Sequence, residues 1–145
     1  MSLTGLRLPT EAEWEYAYRA GTTTAFHSYA AQPNGFNDDT LLDNIAWYRD
    51  YAGDTHAVGG KLANGLGLHD MAGNVCEFCQ DWYSSTYYAS SPLTNPTGPA
   101  TGSFPLLRGG AWIDNSAGCR GSYRDDGYYP YVALSSFGFR AVRAQ

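Results

Sequence analysis

Only one stretch of this chain places its apolar residues at helical spacing, so little of the fold can be helix. The apolar residues of this stretch are Trp14, Ala17 and Tyr18. They follow Thr10 and Glu13, whose spacing is that of a capping box, in which each side chain bonds the other residue's backbone N–H. Gly21 is a common C-terminal stop. We therefore predict a helix over residues 10–20.

The rest of the chain is rich in aromatic and turn-forming residues. Among 145 residues there are 12 Tyr, 6 Phe, 4 Trp and 17 Gly, but only one Lys. This aromatic content excludes a disordered chain, and the glycine content argues against a helical bundle. The length suits one compact domain, residues 1–145. We predict an α+β domain that is rich in loops and poor in regular secondary structure.

Short strands are predicted where apolar and polar residues alternate or where an apolar run is bounded by turn residues. The segments are residues 44–48 (a strand or a buried loop), 55–58, 75–83, 106–112 and 137–143. Gly109 and Gly110 interrupt the fourth segment, where backbone or ligand can approach closely. Residues 84–105 and 113–136 are long irregular segments, and a loop of that length usually has a function or specific anchors.

The net charge argues against nucleic acid as a partner, and the hydropathy shows no membrane-spanning segment. A net charge of −5 argues against nucleic acid, which needs clustered Lys and Arg. No apolar run approaches the roughly 18 residues of a membrane span. No export signal is visible at the N-terminus, and Met1-Ser2-Leu3 resembles a start added for expression. If an upstream signal was removed, we expect a bacterial cell-surface or secreted protein.

The three cysteines are too few for a disulfide scaffold. Cys76 and Cys79 form a Cys-x-x-Cys pair, but there is no second ligand pair for zinc and no βαβ setting for thiol redox chemistry. We favour structural roles for both. A disulfide between Cys119 and either of the other two remains open.

Four motifs stand in an order that closely resembles the formylglycine-generating-enzyme-like, or sulfatase-modifying-factor, family. They are residues 7–17, which begin Arg7-Leu8-Pro9-Thr10-Glu11; residues 64–78, which include Gly73-Asn74-Val75-Cys76-Glu77; Arg108-Gly109-Gly110-Ala111-Trp112; and residues 138–143, which begin Gly138-Phe139-Arg140. The resemblance implies a variant of the C-type lectin fold. Since family domains normally have a further stretch before the first motif, this chain resembles the C-terminal part of such a domain, or a minimal version.

The resemblance also implies a calcium site. Its ligands would be the Asp70 and Glu77 side chains and the Gly73 and Val75 carbonyls. Calcium takes six to eight oxygens at roughly 2.3–2.6 Å, which such a turn can supply. The alternative is that Asp70 caps a turn and Glu77 pairs with an arginine.

The family's oxidases bind copper(I) through two cysteines, and here the matching positions are Asp114 and Cys119. A carboxylate is a poor ligand for copper(I), which prefers thiolates. The resemblance therefore makes a copper oxidase acting on a cysteine-containing protein an unfavoured alternative, with Cys119 as a weak catalytic candidate. Cys119 is better explained as a buried residue or a disulfide partner.

Another branch of the family contains the targets of diversity-generating retroelements, which change adenines in the DNA for the C-terminal segment. Asn codons altered in this way cannot give Lys, Glu, Gln, Met or Trp, and residues 113–136 contain none of these. About three would be expected from the rest of the chain, which supports a variable-type surface.

We therefore predict that a protein or other macromolecule binds residues 113–136, with calcium holding the scaffold. The candidate binding residues are Ile113, Asp114, Asn115, Tyr123, Asp125, Asp126, Tyr128, Tyr129 and Tyr131. Their mixture of Tyr with small polar residues resembles an antibody paratope. The alternative is an irregular loop whose tyrosines pack on the core.

Two further groups of residues are expected to build the scaffold. The expected core aromatics are Trp14, Trp47, Trp82, Trp112, Phe78, Phe137 and Phe139. The arginines expected to hold loops together are Arg108, Arg120, Arg124, Arg140 and Arg143.

Overall fold

The structure is a computed structural model that describes residues 5–49, 53–126 and 128–143. The N-terminal start discussed above therefore lies mostly outside the described residues. The single α-helix, α1, spans Glu11–Arg19 and begins with the predicted capping box: Thr10 Oγ1 accepts from the Glu13 N–H and Glu13 Oε2 from the Thr10 N–H. It ends at Arg19, one residue before the predicted end at residue 20, because Ala20 adopts the left-handed conformation at φ 48°.

The remaining regular structure is a set of short strands and 3₁₀ turns. The strands are β1 Leu6–Arg7, β2 Ala46–Trp47, β3 Ala72–Gly73, β4 Cys76–Trp82, β5 Pro105–Arg108, β6 Phe137–Gly138 and β7 Val142–Arg143. The 3₁₀ turns are Asp39–Asn44 and Tyr87–Ala89. In the largest sheet β4 lies between antiparallel β5 and parallel β6, while β1 pairs with β7 and β2 with β3. The predicted loop-rich α+β architecture is confirmed.

Two strand predictions need correction. Residues 55–58 form no strand, because the His56 N–H donates to Asn74 Oδ1 and the His56 carbonyl accepts from Asn74 Nδ2. An asparagine side chain thus takes the place of a neighbouring strand. Residues 137–143 divide into β6 and β7, which belong to different sheets: β6 pairs with β4, and β7 pairs with β1.

The core lies between α1, the irregular segment that follows it and the central sheet. Its buried members are Trp14, Tyr18, Phe26, Tyr29, Phe36, Leu42, Ile45, Ala46, Met71, Ala72, Cys79, Leu106 and Cys119. The prediction that Phe139 belongs to the core is wrong, since it is 70% exposed. Its neighbour Arg140 turns inward to Glu77, so Phe139 points the other way. Among the described residues no helix is long and apolar enough to cross a membrane.

The capping box leads to a pH-dependent prediction. Hydrogen bonding from the Arg7 guanidinium holds the pKa of the Glu13 carboxyl at about 2. A carboxyl whose pKa is lowered on folding adds stability above its unfolded pKa, and that stability is lost as the pH falls through the folded value. We expect Glu13→Gln to lower the free energy of unfolding by about 1 kcal/mol at pH 7.

The difference between the two proteins should shrink between roughly pH 4.3, the ordinary glutamate pKa, and about pH 2. Urea unfolding of both proteins across this range measures it. A constant difference at all pH values would show that the Glu13 charge makes no contribution.

Candidate functional site

The central strand β4 presents two different faces, because successive side chains alternate across a sheet. Glu77 and Cys79 face α1 and the main core, where Trp14 Nε1 donates to Glu77 Oε2 at 2.7 Å. Cys76 and Phe78 face the opposite side, where Cys76 packs with Leu107. The Cys-x-x-Cys residues therefore lie on opposite faces, which explains why they do not form one chelating pair.

Residues 113–136 attach to this sheet along the free edge of β5. Asp125 forms a backbone bridge with Leu107 of β5, with Asp125 N to Leu107 O at 3.0 Å. Arg108 Nη2 donates to the Gly121 carbonyl at 2.7 Å, and Nη1 donates to the Tyr123 carbonyl. The segment is thus joined to the scaffold near its middle.

The nine candidate binding residues differ in their contacts and exposure. Two of them support the loop itself: Asp114 Oδ2 accepts from the Ala111 N–H at 2.9 Å, and Asn115 Oδ1 accepts from the Ala117 N–H at 3.0 Å. Asp125 is half-buried. The exposed remainder is Ile113, Tyr123, Asp126, Tyr128, Tyr129 and Tyr131. Their binding role stays a prediction, but their side chains are placed where a partner could reach them.

Two aromatic rows support the exposed tyrosines. In the first, Tyr128 packs edge-to-face on Phe137, with ring centroids 4.7 Å apart, and Phe137 packs on Phe78 at 5.7 Å. In the second, Tyr129 contacts Phe104 at 4.9 Å and stacks on Tyr131 at 5.4 Å. Phe104 was not among the sequence candidates, because it lies in the irregular segment 84–105 and nothing local links it to Tyr129.

The Glu77 carboxylate is fully engaged by protein donors. Arg140 Nε donates to Oε2 at 2.5 Å and Nη2 to Oε1 at 2.6 Å, in addition to the Trp14 indole. Arg140 Nη2 also donates to the Asp70 carbonyl at 3.1 Å. Both Glu77 oxygens therefore face a cation already.

This arrangement does not fit the calcium set implied by the family resemblance. Asp70 Oδ2 accepts from the Gly59 N–H at 2.6 Å, and Oδ1 is buried with no hydrogen-bond donor among the described residues. That oxygen is a suitable calcium ligand, but the guanidinium on Glu77 would repel a divalent cation. In the described part of the chain, no group of three or more His, Cys, Asp and Glu residues could hold a metal ion.

The three cysteines are buried free thiols. Cys119 is 0% exposed, and burial raises the pKa of its thiol to about 12. Burial, then the nearby Asp114 and Asp125, raises the pKa of the Cys76 thiol well above its usual range. Cys76 Sγ lies 3.6 Å from Asp114 Oδ2, as a donor to that carboxylate. None of these thiols has the environment of an activated nucleophile.

We expect all three thiols to react slowly in the folded protein. At pH 8 their reaction with Ellman's reagent should be at least about 100-fold slower than in denaturant, where three thiols should be counted. One fast thiol in the native protein would contradict this and identify a reactive cysteine. A cysteine-containing unfolded peptide provides the rate of an unprotected thiol.

Four of the five expected scaffold arginines make the predicted ion pairs or hydrogen bonds. Arg108 and Arg124 both reach Glu11, Arg120 binds Asp39, and Arg140 binds Glu77. Arg124 is held with particular completeness: its guanidinium donates twice to Glu11 and lies over the rings of Tyr83 and Tyr88, at 4.9 and 4.4 Å. The sequence could not identify Glu11 as the partner of Arg124, since an acidic residue is common in the first turn of any helix.

The sequence and the fold of this chain resemble those of known proteins. A family model described as Sulfatase-modifying factor enzyme 1-like domain matches residues 2–145. The chain belongs to this family. The family and fold predicted from the four motifs are therefore confirmed.

Several relatives of this sulfatase-modifying-factor domain are similar over most of its length. The formylglycine-generating enzyme of Streptomyces coelicolor is 40% identical over 121 residues, which cover 79% of this chain and 38% of that enzyme. The serine/threonine-protein kinase pkn1 of Chlamydia caviae is 38% identical over 146 residues, covering 98% of this chain and 22% of the kinase.

Among solved structures, Treponema denticola variable protein 1 matches with a TM-score of 0.83 at 41% identity, covering 97% of this chain and 48% of that one. This chain thus spans less than half the length of each of the three proteins.

Proposed function

We propose that this domain is a non-catalytic binding domain, and that residues 113–136 contact a protein or other macromolecular partner. One observation carries the proposal: the segment presents exposed tyrosines, while its two oxidase-type positions are inward. Asp114 caps the Ala111 N–H, and Cys119 is fully buried. The segment is therefore arranged for contact rather than for thiol chemistry.

The variable-type form of this proposal rests on composition and similarity. Residues 113–136 contain no Lys, Glu, Gln, Met or Trp, as adenine-directed change at Asn codons requires. A solved structure named a variable protein has a similar fold and sequence. Tyr is the most frequent residue at the exposed described positions of this segment, and its ring gives contact area at low entropic cost.

A test of this form is genomic. We expect a near-copy of the DNA for residues 108–143, differing only at adenines and lying beside a reverse transcriptase gene. A genome that carries the gene with no such copy would contradict retroelement diversification, while leaving a fixed binding surface open to the biochemical test.

The competing function is a formylglycine-generating oxidase acting on a cysteine-containing protein. The formylglycine-generating enzyme of Streptomyces coelicolor is 40% identical to this chain over 121 residues. This chain keeps Cys119 and has Asp114 at the other cysteine position, so the oxidase alternative needs a second thiol from elsewhere. It would require the deeply buried Cys119 to become accessible.

Copper(I) titration separates the two functions. We expect the native protein to form no stoichiometric copper(I) complex that removes two thiols from the thiol count, and to leave a cysteine-containing peptide unoxidised. The Asp114→Cys variant supplies a second thiol at the family position and serves as the positive control for the titration. A one-to-one complex in the unmodified protein would overturn the binding-only proposal.

Calcium at the Asp70–Glu77 turn stays a prediction. It would use the Asp70 carboxylate and the Gly73 and Val75 carbonyls, and it requires Arg140 to leave Glu77. If the site binds calcium, then adding calcium should raise the thermal midpoint, and Asp70→Asn should abolish the increase. An unchanged midpoint after chelation and after calcium addition would contradict the prediction.

A further inference from the structure

The exposed face that contains Tyr123, Asp126 and Tyr128 has an unbalanced charge. Residues 113–136 contain three aspartates and two arginines. Both arginines point away from this face: Arg120 Nη2 lies 3.2 Å from Asp39 Oδ1, and Arg124 is bidentate on Glu11. Asp126 stays exposed among the tyrosines, so the face presents negative charge.

Geometry and electrostatics place the acidic and aromatic groups together. Asp125 bridges to Leu107 at the free edge of β5, and Tyr128 packs on Phe137 of β6. Leu107 and Phe137 belong to the cluster on the side of the sheet opposite α1, the outer face. Burial, followed by the charges of Asp125 and Asp114, raises the pKa of both Tyr123 and Tyr128. The two phenols therefore lie in the field of the same two carboxylates.

The same combination of groups already holds a guanidinium inside this protein. Arg124 donates to both Glu11 oxygens, at 2.6 and 2.9 Å, while its guanidinium lies over the Tyr83 and Tyr88 rings. A guanidinium suits such a site because it is planar, stacks on aromatic rings and binds a carboxylate through two N–H groups. The outer face offers tyrosine rings and the exposed Asp126, while both arginines of residues 113–136 are bound elsewhere.

We infer that this face takes a segment of a partner protein that presents arginine side chains. The face consists of Tyr123, Asp125, Asp126, Tyr128, Tyr129 and Tyr131. This inference rests on the proposed binding function and specifies the chemistry of the partner. The tyrosine rings supply stacking area, and Asp126, which is exposed, supplies a carboxylate that an incoming guanidinium can reach.

The test uses the full chain, isotopically labelled, and synthetic peptides of alternating arginine and glycine. Matched peptides carry lysine or glutamate in place of arginine. We expect the arginine peptide to shift the amide resonances of residues 123–131 and to bind at least about three-fold more tightly than the lysine peptide. The reason is that a lysine ammonium is not planar and cannot donate two parallel hydrogen bonds to one carboxylate. The glutamate peptide should not bind.

Two variants with the same change of charge locate the effect. Asp126→Asn should weaken binding of the arginine peptide roughly three- to ten-fold. Asp43→Asn, at another exposed aspartate, should weaken it less than about two-fold. Equal effects of the two variants, or shifts spread over the whole chain, would reduce the binding to general charge attraction and overturn the inference.

Different experimental results would overturn this inference and the proposed function. Binding of the lysine peptide as tightly as the arginine peptide, or binding of the glutamate peptide at residues 123–131, overturns the arginine preference but supports a binding surface. A two-thiolate copper(I) complex overturns the binding-only function whatever the peptides do.

Discussion

Replacing Arg108 with methionine should lower the free energy of unfolding by about 3–5 kcal/mol, because it removes the central cation of a buried network. Arg108 is 0% exposed. It donates to Glu15 Oε2 at 2.6 Å and to the carbonyls of Gly121 and Tyr123, and its guanidinium lies over the Trp14 ring. Methionine keeps the apolar volume but leaves both carbonyls without their donor.

The matched control is Arg120→Met. The Arg120 and Asp39 side chains that form this ion pair are each more than two-fifths exposed, so loss of the pair should cost at most about 1 kcal/mol. Urea unfolding of the three proteins gives the comparison, and amide hydrogen exchange should show faster exchange at residues 121–126 in Arg108→Met alone. Equal stability losses in the two variants would show that burial of Arg108 adds nothing.

Replacing Gly73 with alanine should also cost more than about 3 kcal/mol, because two penalties combine at this position. Gly73 has φ 73°, which strains any residue with a side chain. A Cβ there would lie 2.3 Å from the Trp47 carbonyl oxygen and 2.9 Å from the Trp47 nitrogen, which are backbone atoms of the paired strand β2. The backbone must therefore move, and the β2–β3 pairing with it.

Gly67→Ala separates the two penalties. Gly67 has a similar φ of 76°, but a Cβ there meets no atom within 4 Å. Its cost should be only the conformational term, about 1–2 kcal/mol. Chemical unfolding of both variants measures the difference. If Gly73→Ala is no more costly than Gly67→Ala, then β2 and β3 can separate without loss.

The parts of the fold that sequence could predict are those fixed by local chemistry or by a specific motif. The helix followed from Thr10 and Glu13, which bond each other within one turn. The family motifs carried the fold. By contrast, the absence of a strand at residues 55–58 depends on the Asn74 side chain, which is 18 positions away from His56. Alternation of apolar residues carries no trace of such a partner.

The candidate site was predictable to a similar degree. Composition pointed to the tyrosines of residues 113–136, and most of the aromatic candidates are exposed there. The inward role of Asp114 and the engagement of Glu77 by Arg140 depend on contacts between residues 38 and 63 positions apart. The contact between the Phe104 and Tyr129 rings could not be predicted either, since only folding brings these two distant residues together.

The attachment of residues 113–136 to the scaffold has a consequence for evolution. Around the tyrosines, the scaffold holds the segment by its main chain: Arg108 binds the Gly121 and Tyr123 carbonyls, and the Asp125 backbone pairs with that of Leu107. Every amino acid except proline provides these same main-chain groups. The outward side chains can therefore be exchanged with little change in the anchoring bonds, so substitutions at the exposed tyrosines should alter the surface without unfolding the chain.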